Sequence, residues 1–113
     1  MVKYLTTSVS IISLLTVSTA VLAASDRLED GRTAYTALCA KCHEQGIDGA
    51  PKTQDRESWA HRSSLWDAVL SEHAEKGYLG MPPKGGTPQA SAYDVNAAAE
   101  YMLTITHPDM PHD

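Results

Sequence analysis

The 113-residue chain has no phenylalanine, only two tryptophans and five tyrosines, and just two cysteines. Each shortage excludes something. Two cysteines cannot build the disulfide framework that holds many small secreted domains together. Nowhere does the chain show the alternation of apolar and polar residues that marks a strand, so a sheet is not expected. No apolar run reaches the roughly 20 residues of a membrane-spanning helix. Positive charge is scarce as well. Beyond residue 23 there are eight Lys and Arg against fourteen Asp and Glu, a formal charge of −6, which excludes the basic patch that nucleic-acid binding needs. Paired carboxylates or a nucleophile beside a base are not discernible, so an enzyme is not expected. About ninety residues without Phe bury only some 60–65 % of their surface on folding, and a large apolar cofactor would make up for the thin core.

What is present is concentrated in Cys39-Ala40-Lys41-Cys42-His43, which uses both cysteines and follows the second with a histidine. Cys-x-x-Cys-His is the pattern of covalent haem attachment. Thiols three residues apart lie on neighbouring sides of one helical turn, so each can form a thioether with one vinyl group of the same porphyrin while the histidine faces the iron. Two other readings compete. A thioredoxin-like thiol pair is expected beside a βαβ pattern, which is absent. A structural zinc site needs about four ligands, and only His107 and His112, in the C-terminal tail, are left to supply the second pair.

On this motif the chain resembles the c-type cytochromes. The resemblance implies Cys39 and Cys42 as the thioether residues of one haem c and His43 as the proximal iron ligand.

Upstream, residues 1–23 read as a secretory signal: Lys3 provides the positive end, Val9–Val17 the apolar region and Val21-Leu22-Ala23 a small-residue cleavage site. Residues 24–113 then form one exported domain, expected in the periplasm. The alternative is an uncleaved anchor.

A first helix is expected from near Asp26, with Leu28, Gly31, Tyr35 and Leu38 on one stripe. Gly31 inside it costs about 1 kcal/mol relative to Ala. The family resemblance supplies a reason, since class I cytochromes cross their first and last helices at a glycine facing an aromatic residue. Here that contact would be Gly31 and Tyr35 against Tyr101. Residues 45–61, rich in Gly, Pro and charge, read as an irregular loop around the porphyrin edge. By the same resemblance the Pro51 carbonyl accepts a hydrogen bond from the proximal imidazole, and Trp59 and Arg62 line the haem, their N–H groups suited to its propionates.

Ser64 with Asp67 makes a capping box for a middle helix that Gly77 would end, and His73 within it reads as a solvated side chain. There follows Gly77-Tyr78-Leu79-Gly80-Met81-Pro82-Pro83-Lys84-Gly85-Gly86, in which the prolines forbid helix and the glycines permit close approach. Met81, held in such a loop, is the expected sixth ligand, while Met110 repeats the Met-Pro pair near the terminus and is the decoy. Ser91 and Asp94 open a last helix with Val95, Ala98, Met102 and Ile105 on its stripe, and Pro108 closes it. The order of these features is similar to cytochrome c5, although the second cysteine pair common there is replaced by Thr87-Pro88-Gln89-Ala90.

The expected architecture is therefore all-α, a class I cytochrome c fold of three to four helices around a covalent haem. The expected function is a one-electron carrier. Its partners would be redox proteins: a membrane oxidase or reductase complex, or a periplasmic enzyme. Lys41, Lys52 and Lys84 lie in haem-contacting segments and would make the rim locally basic. Two other functions fit the same residues: an electron-entry subunit of a larger complex, and a ligand-binding haem protein with a labile sixth ligand.

Overall fold

Two long helices set the frame. In the computed structural model, which describes residues 2–3, 16–60 and 67–110 (of 16–25 and 67 the backbone alone), α1 spans Thr16–Leu38 and α5 spans Ala92–Thr106. They cross where Gly31 faces Ala97 and Tyr101. A Cβ at residue 31 would stand 2.3 Å from the Ala97 carbonyl oxygen and 3.0 Å from Tyr101 Cβ, so only glycine permits this approach. The Tyr35 and Tyr101 rings pack beside it, centroids 5.4 Å apart and tilted by 47°. Ala34, Tyr35, Ala98 and Met102 form the buried cluster, against which Leu38, Cys39, Ala40, Trp59 and Tyr101 pack. Polar contacts edge the crossing: Arg27 Nε pairs with Glu100 at 2.6 Å, and the Tyr93 hydroxyl donates to Asp30 at 2.8 Å.

Two details of the stripes differ from expectation. Leu28 is 41 % exposed, because the crossing turns Gly31, Ala34 and Tyr35 inward and leaves the position one turn earlier outside. On α5, Thr106 rather than Ile105 is the buried position of the last turn, its hydroxyl accepting from the Gln54 N–H at 3.1 Å. Helix α1 also starts ten residues before Asp26. Ala20, Leu22, Ala23 and Ala24 favour helix and no Gly or Pro interrupts them, so the backbone is helical across Val21-Leu22-Ala23.

Between the long helices are three shorter ones: α2 (Ala40–His43), α3 (Arg56–Trp59) and α4 (Asp67–Lys76). Among the described residues there are thus five helices and no strand. The stretch expected to be irregular contains a 3-10 turn at Ile47–Gly49 and helix α3, whose N-terminus is capped by the Asp55 carboxylate accepting from the Glu57 and Ser58 N–H groups. Arg56 holds this segment to the end of α5 through the Thr106 carbonyl at 3.2 Å and an ion pair with Asp109. Helix α4 ends at Gly77, with φ +82°, and packs on α5 and on the 3-10 turn Pro83–Gly86. The Ser91 cap is formed as the sequence suggests, its hydroxyl accepting from Asp94 N–H at 3.0 Å. Ser64 and Arg62 lie outside the described residues, as does His112. No helix among the described residues is long and apolar enough to cross a membrane.

Gly31→Ala is expected to destabilise by about 1–3 kcal/mol, since overpacking against the Ala97 backbone outweighs the better helix propensity. A lowered urea midpoint is the reading; an unchanged one would mean the helices do not meet here. Burial gives a second expectation. It pushes the Tyr35 hydroxyl up to about 12 from an ordinary value of 10. The unfolded chain therefore loses this proton first, and stability falls as pH rises from 10 towards 12, by at most about 1.4 kcal/mol per pH unit. Tyr35→Phe should flatten that alkaline limb in unfolding curves taken across this range.

Candidate haem site

Helix α1 does not simply stop at Leu38. Cys39 N–H still bonds to the Tyr35 carbonyl at 2.9 Å, after which the Cys39 carbonyl accepts from Cys42 N–H at 3.1 Å and His43 N–H at 3.0 Å. The five residues of the motif thus occupy one turn appended to α1, with both thiols half-buried and not joined to each other. Burial pushes the Cys39 thiol up to about 11. A reactive redox cysteine needs the opposite, a thiolate favoured near neutral pH, so the environment opposes the thioredoxin-like reading. Nor do three or more His, Cys, Asp or Glu side chains converge as a metal site among the described residues.

His43 is 7 % exposed, and its ring is oriented from outside the helix. Nδ1 donates to the Pro51 carbonyl at 2.8 Å, which assigns the proton to Nδ1 and leaves Nε2 as the nitrogen able to bind iron. The chain between them is folded to make this bond. Gly46 and Gly49 have positive φ, and Thr53 N–H bonds to the His43 carbonyl at 2.8 Å, so the segment carrying Pro51 returns over the imidazole. The Trp59 ring lies nearly parallel to the His43 ring, 17° between planes and 6.0 Å between centroids. Its indole N–H donates to the Lys52 carbonyl at 3.1 Å. That bond closes the 52–59 loop.

Met81 occupies a tight reversal. Tyr78 and Met81 exchange both backbone hydrogen bonds, at 3.1 and 2.9 Å, across Leu79 and Gly80. Leu79 has φ +51° and is 84 % exposed, a left-handed conformation that costs a non-glycine residue about 1 kcal/mol or more and that its own packing does not offset. Downstream, the Lys84 ammonium donates to the Ala90 carbonyl at 2.8 Å, and Gly85 is pressed against the Leu38 carbonyl, where a Cβ would stand 2.5 Å away. The loop is thereby seated on the end of α1 beside the cysteine turn. Lys84 is half-buried with its ammonium on a carbonyl, whereas Lys41 and Lys52 are exposed. His73 is likewise no simple solvated side chain. Its ring stacks on Tyr78, centroids 3.7 Å apart and 5° between planes.

The residues present fit a covalent haem. The cysteine turn, the oriented imidazole and the Met81 loop supply soft and nitrogen donors suited to haem iron. A separate groove of about 390 Å³ lies between α1 and the start of α5, lined by Asp30, Ala34, Leu38, Ala90, Tyr93 and Asp94 among others; it includes none of Cys39, Cys42, His43 or Met81 and is not this site.

Comparison with known proteins agrees with the geometry. Residues 26–102 match the family described as "Cytochrome C oxidase, cbb3-type, subunit III". Cytochrome c-555 of Chlorobaculum thiosulfatiphilum is 39 % identical over 77 residues, covering 65 % of this chain and 90 % of that protein. Cytochrome c5 of Ectopseudomonas mendocina is 34 % identical over 67 residues, covering 57 % and 76 %. Among solved structures, a cytochrome c from the crystal structure of an electron transfer complex of nitrite reductase with cytochrome c superposes with a TM-score of 0.61 and 34 % identity, covering 68 % of this chain and 94 % of that one. The chain belongs to the cytochrome c family, as a class I monohaem member whose cofactor is covalently bound haem c.

Proposed function

We propose that the chain is an exported one-electron carrier, its haem joined through Cys39 and Cys42 and its iron held between His43 and Met81. When bound, haem c supplies a ferric/ferrous couple. The observation that carries this reading is the bond from His43 Nδ1 to the Pro51 carbonyl, which fixes one ring nitrogen and presents the other, as a permanent ligand requires. A thioether from Met81 completes the coordination and raises the potential. Two ligands from the protein leave no position for oxygen, peroxide or a substrate, which favours transfer of electrons over catalysis. The Met81 loop is anchored on both sides, and this supports a ligand that stays in place.

Residues 1–23 are read as the export signal and 24–113 as the mature domain, with the periplasm as its compartment; cleavage after Ala23 leaves α1 from Ala24 onward. A redox enzyme of the reductase or oxidase class is the expected partner, as the structural relative was captured with nitrite reductase. The similar c-555 is little longer than the matched region, which favours a free carrier over a domain of a larger subunit. Exposed Lys41 and Lys52 supply positive charge near the cysteine turn of an otherwise acidic chain.

Two results test the proposal in protein made by an export-competent host. Acid-acetone extraction should leave haem on the polypeptide, and a Cys39→Ala, Cys42→Ala variant should release it. Recovery of all haem from the unmodified protein overturns the attachment. Met81→Ala should open the ferric iron to added imidazole and lower the midpoint potential, while Met110→Ala changes neither. The reverse pattern would transfer the ligand role to Met110.

A further inference from the structure

Resting on the reading of Met81 as the sixth ligand, we propose that His73 is a positioning residue for the Met81 thioether, acting through the Tyr78 ring stacked on its imidazole.

The two sides of the Met81 loop are held differently. After Met81 the chain is stiffened by Pro82 and Pro83, tied by Lys84 to the Ala90 carbonyl and seated by Gly85 on Leu38. Before Met81 the chain has Gly77, whose close approach to the Met81 carbonyl and to Pro83 permits the reversal but adds no side chain to hold it. The side chain that anchors this half is Tyr78. Its backbone exchanges both hydrogen bonds with Met81, so fixing the Tyr78 residue fixes the Met81 backbone directly.

The reversal needs such an anchor. Leu79 keeps a positive φ with its side chain almost fully in solvent, and strained backbone of this kind persists only where neighbouring contacts over-determine it. The near-coincident stack of Tyr78 on His73 is the contact available. His73 in turn is held by α4, which packs on α5 and on the Pro83–Gly86 turn. Its neighbours Glu72 and Lys76 pair with each other at 2.7 Å across one helical turn, so neither competes for the ring. The stack thus transmits the position of α4 to the ligand loop.

The haem-loaded protein and its His73→Ala, Tyr78→Ala, double His73→Ala/Tyr78→Ala, His73→Phe and Met81→Ala variants test this. Imidazole affinity of the ferric form, the midpoint potential and the thioether-to-iron charge-transfer band are the readouts. Loss of the stack should raise imidazole affinity about two- to tenfold, the range an aromatic pair is worth, with a lower potential. His73→Ala and Tyr78→Ala should act alike, the double variant should exceed neither, and His73→Phe, which keeps a flat ring, should restore the parent values. His73→Ala values equal to the parent, additive effects in the double variant, or failure of Phe to restore would each overturn the positioning role. A Met81→Ala variant with an unchanged band and affinity overturns the ligand assignment itself, and this inference with it; a normal Met81→Ala response beside a silent His73→Ala overturns the inference alone.

Discussion

The contact on which the rest depends is backbone against backbone, Gly31 of α1 on the Ala97 carbonyl of α5. Helices packed through ordinary side chains lie about 8–10 Å apart, and a glycine at the crossing brings one helix axis closer. Here it lets α1 rest on the Ala97 carbonyl of α5. That approach seats Tyr35 and Tyr101 beside each other, and two turns further along α1 it delivers the cysteine turn to a defined place. The same crossing fixes α5, whose last turn holds Gln54 and Arg56 and through them the far end of the loop that folds over His43. The imidazole is thus oriented by both helices at once, by α1 through the chain and by α5 through the loop.

The core this produces is small. Among the described residues no large side chain is fully buried, and the buried cluster consists of two alanines, a tyrosine and a methionine. Such a cluster removes too little apolar surface to offset the ordering entropy of some ninety residues. The deficit is consistent with the composition, which has no Phe. A porphyrin contributes the missing apolar area, and covalent attachment means it is not lost by dissociation. Stability and cofactor are coupled for the same reason that metal-dependent small domains fold only when loaded.

Features set by short-range chemistry were legible in the sequence, and those set by where a side chain lands were not. Cys39, Cys42 and His43 are readable because the spacing itself is the chemistry. Gly31, Gly77 and the Ser91 cap are readable because a missing Cβ or a hydroxyl at a helix start has few other uses. Other placements depend on distances that only the folded chain defines. The Trp59 indole reaches the Lys52 carbonyl because α3 turns it back, and the Lys84 ammonium reaches Ala90 because the Pro83–Gly86 turn curls. Neither carbonyl partner is visible in the sequence around Trp59 or Lys84. The place of His73 is hidden for a similar reason: its acidic and basic neighbours in sequence suggest solvent, whereas Glu72 and Lys76 satisfy each other and leave the ring to Tyr78.

Under the proposed ligation by Met81, the strained reversal has a physical use in a carrier of electrons. Transfer is fast when the geometry around the iron is nearly the same in both oxidation states, and this requires a ligand that cannot relax when the charge on the metal changes. A loop that is merely well packed would have many small ways to move. A loop in which Leu79 is already forced into an unfavourable conformation has few, because any displacement of Met81 must break a pair of backbone bonds on one side or shift two prolines on the other. The cost at Leu79 is offset by the Tyr78 pairing and by the seating of Gly85 on α1, and in the proposed ligation it is the local expense of a rigid thioether. On this view the exposed leucine marks where the chain exchanges stability for a fixed ligand.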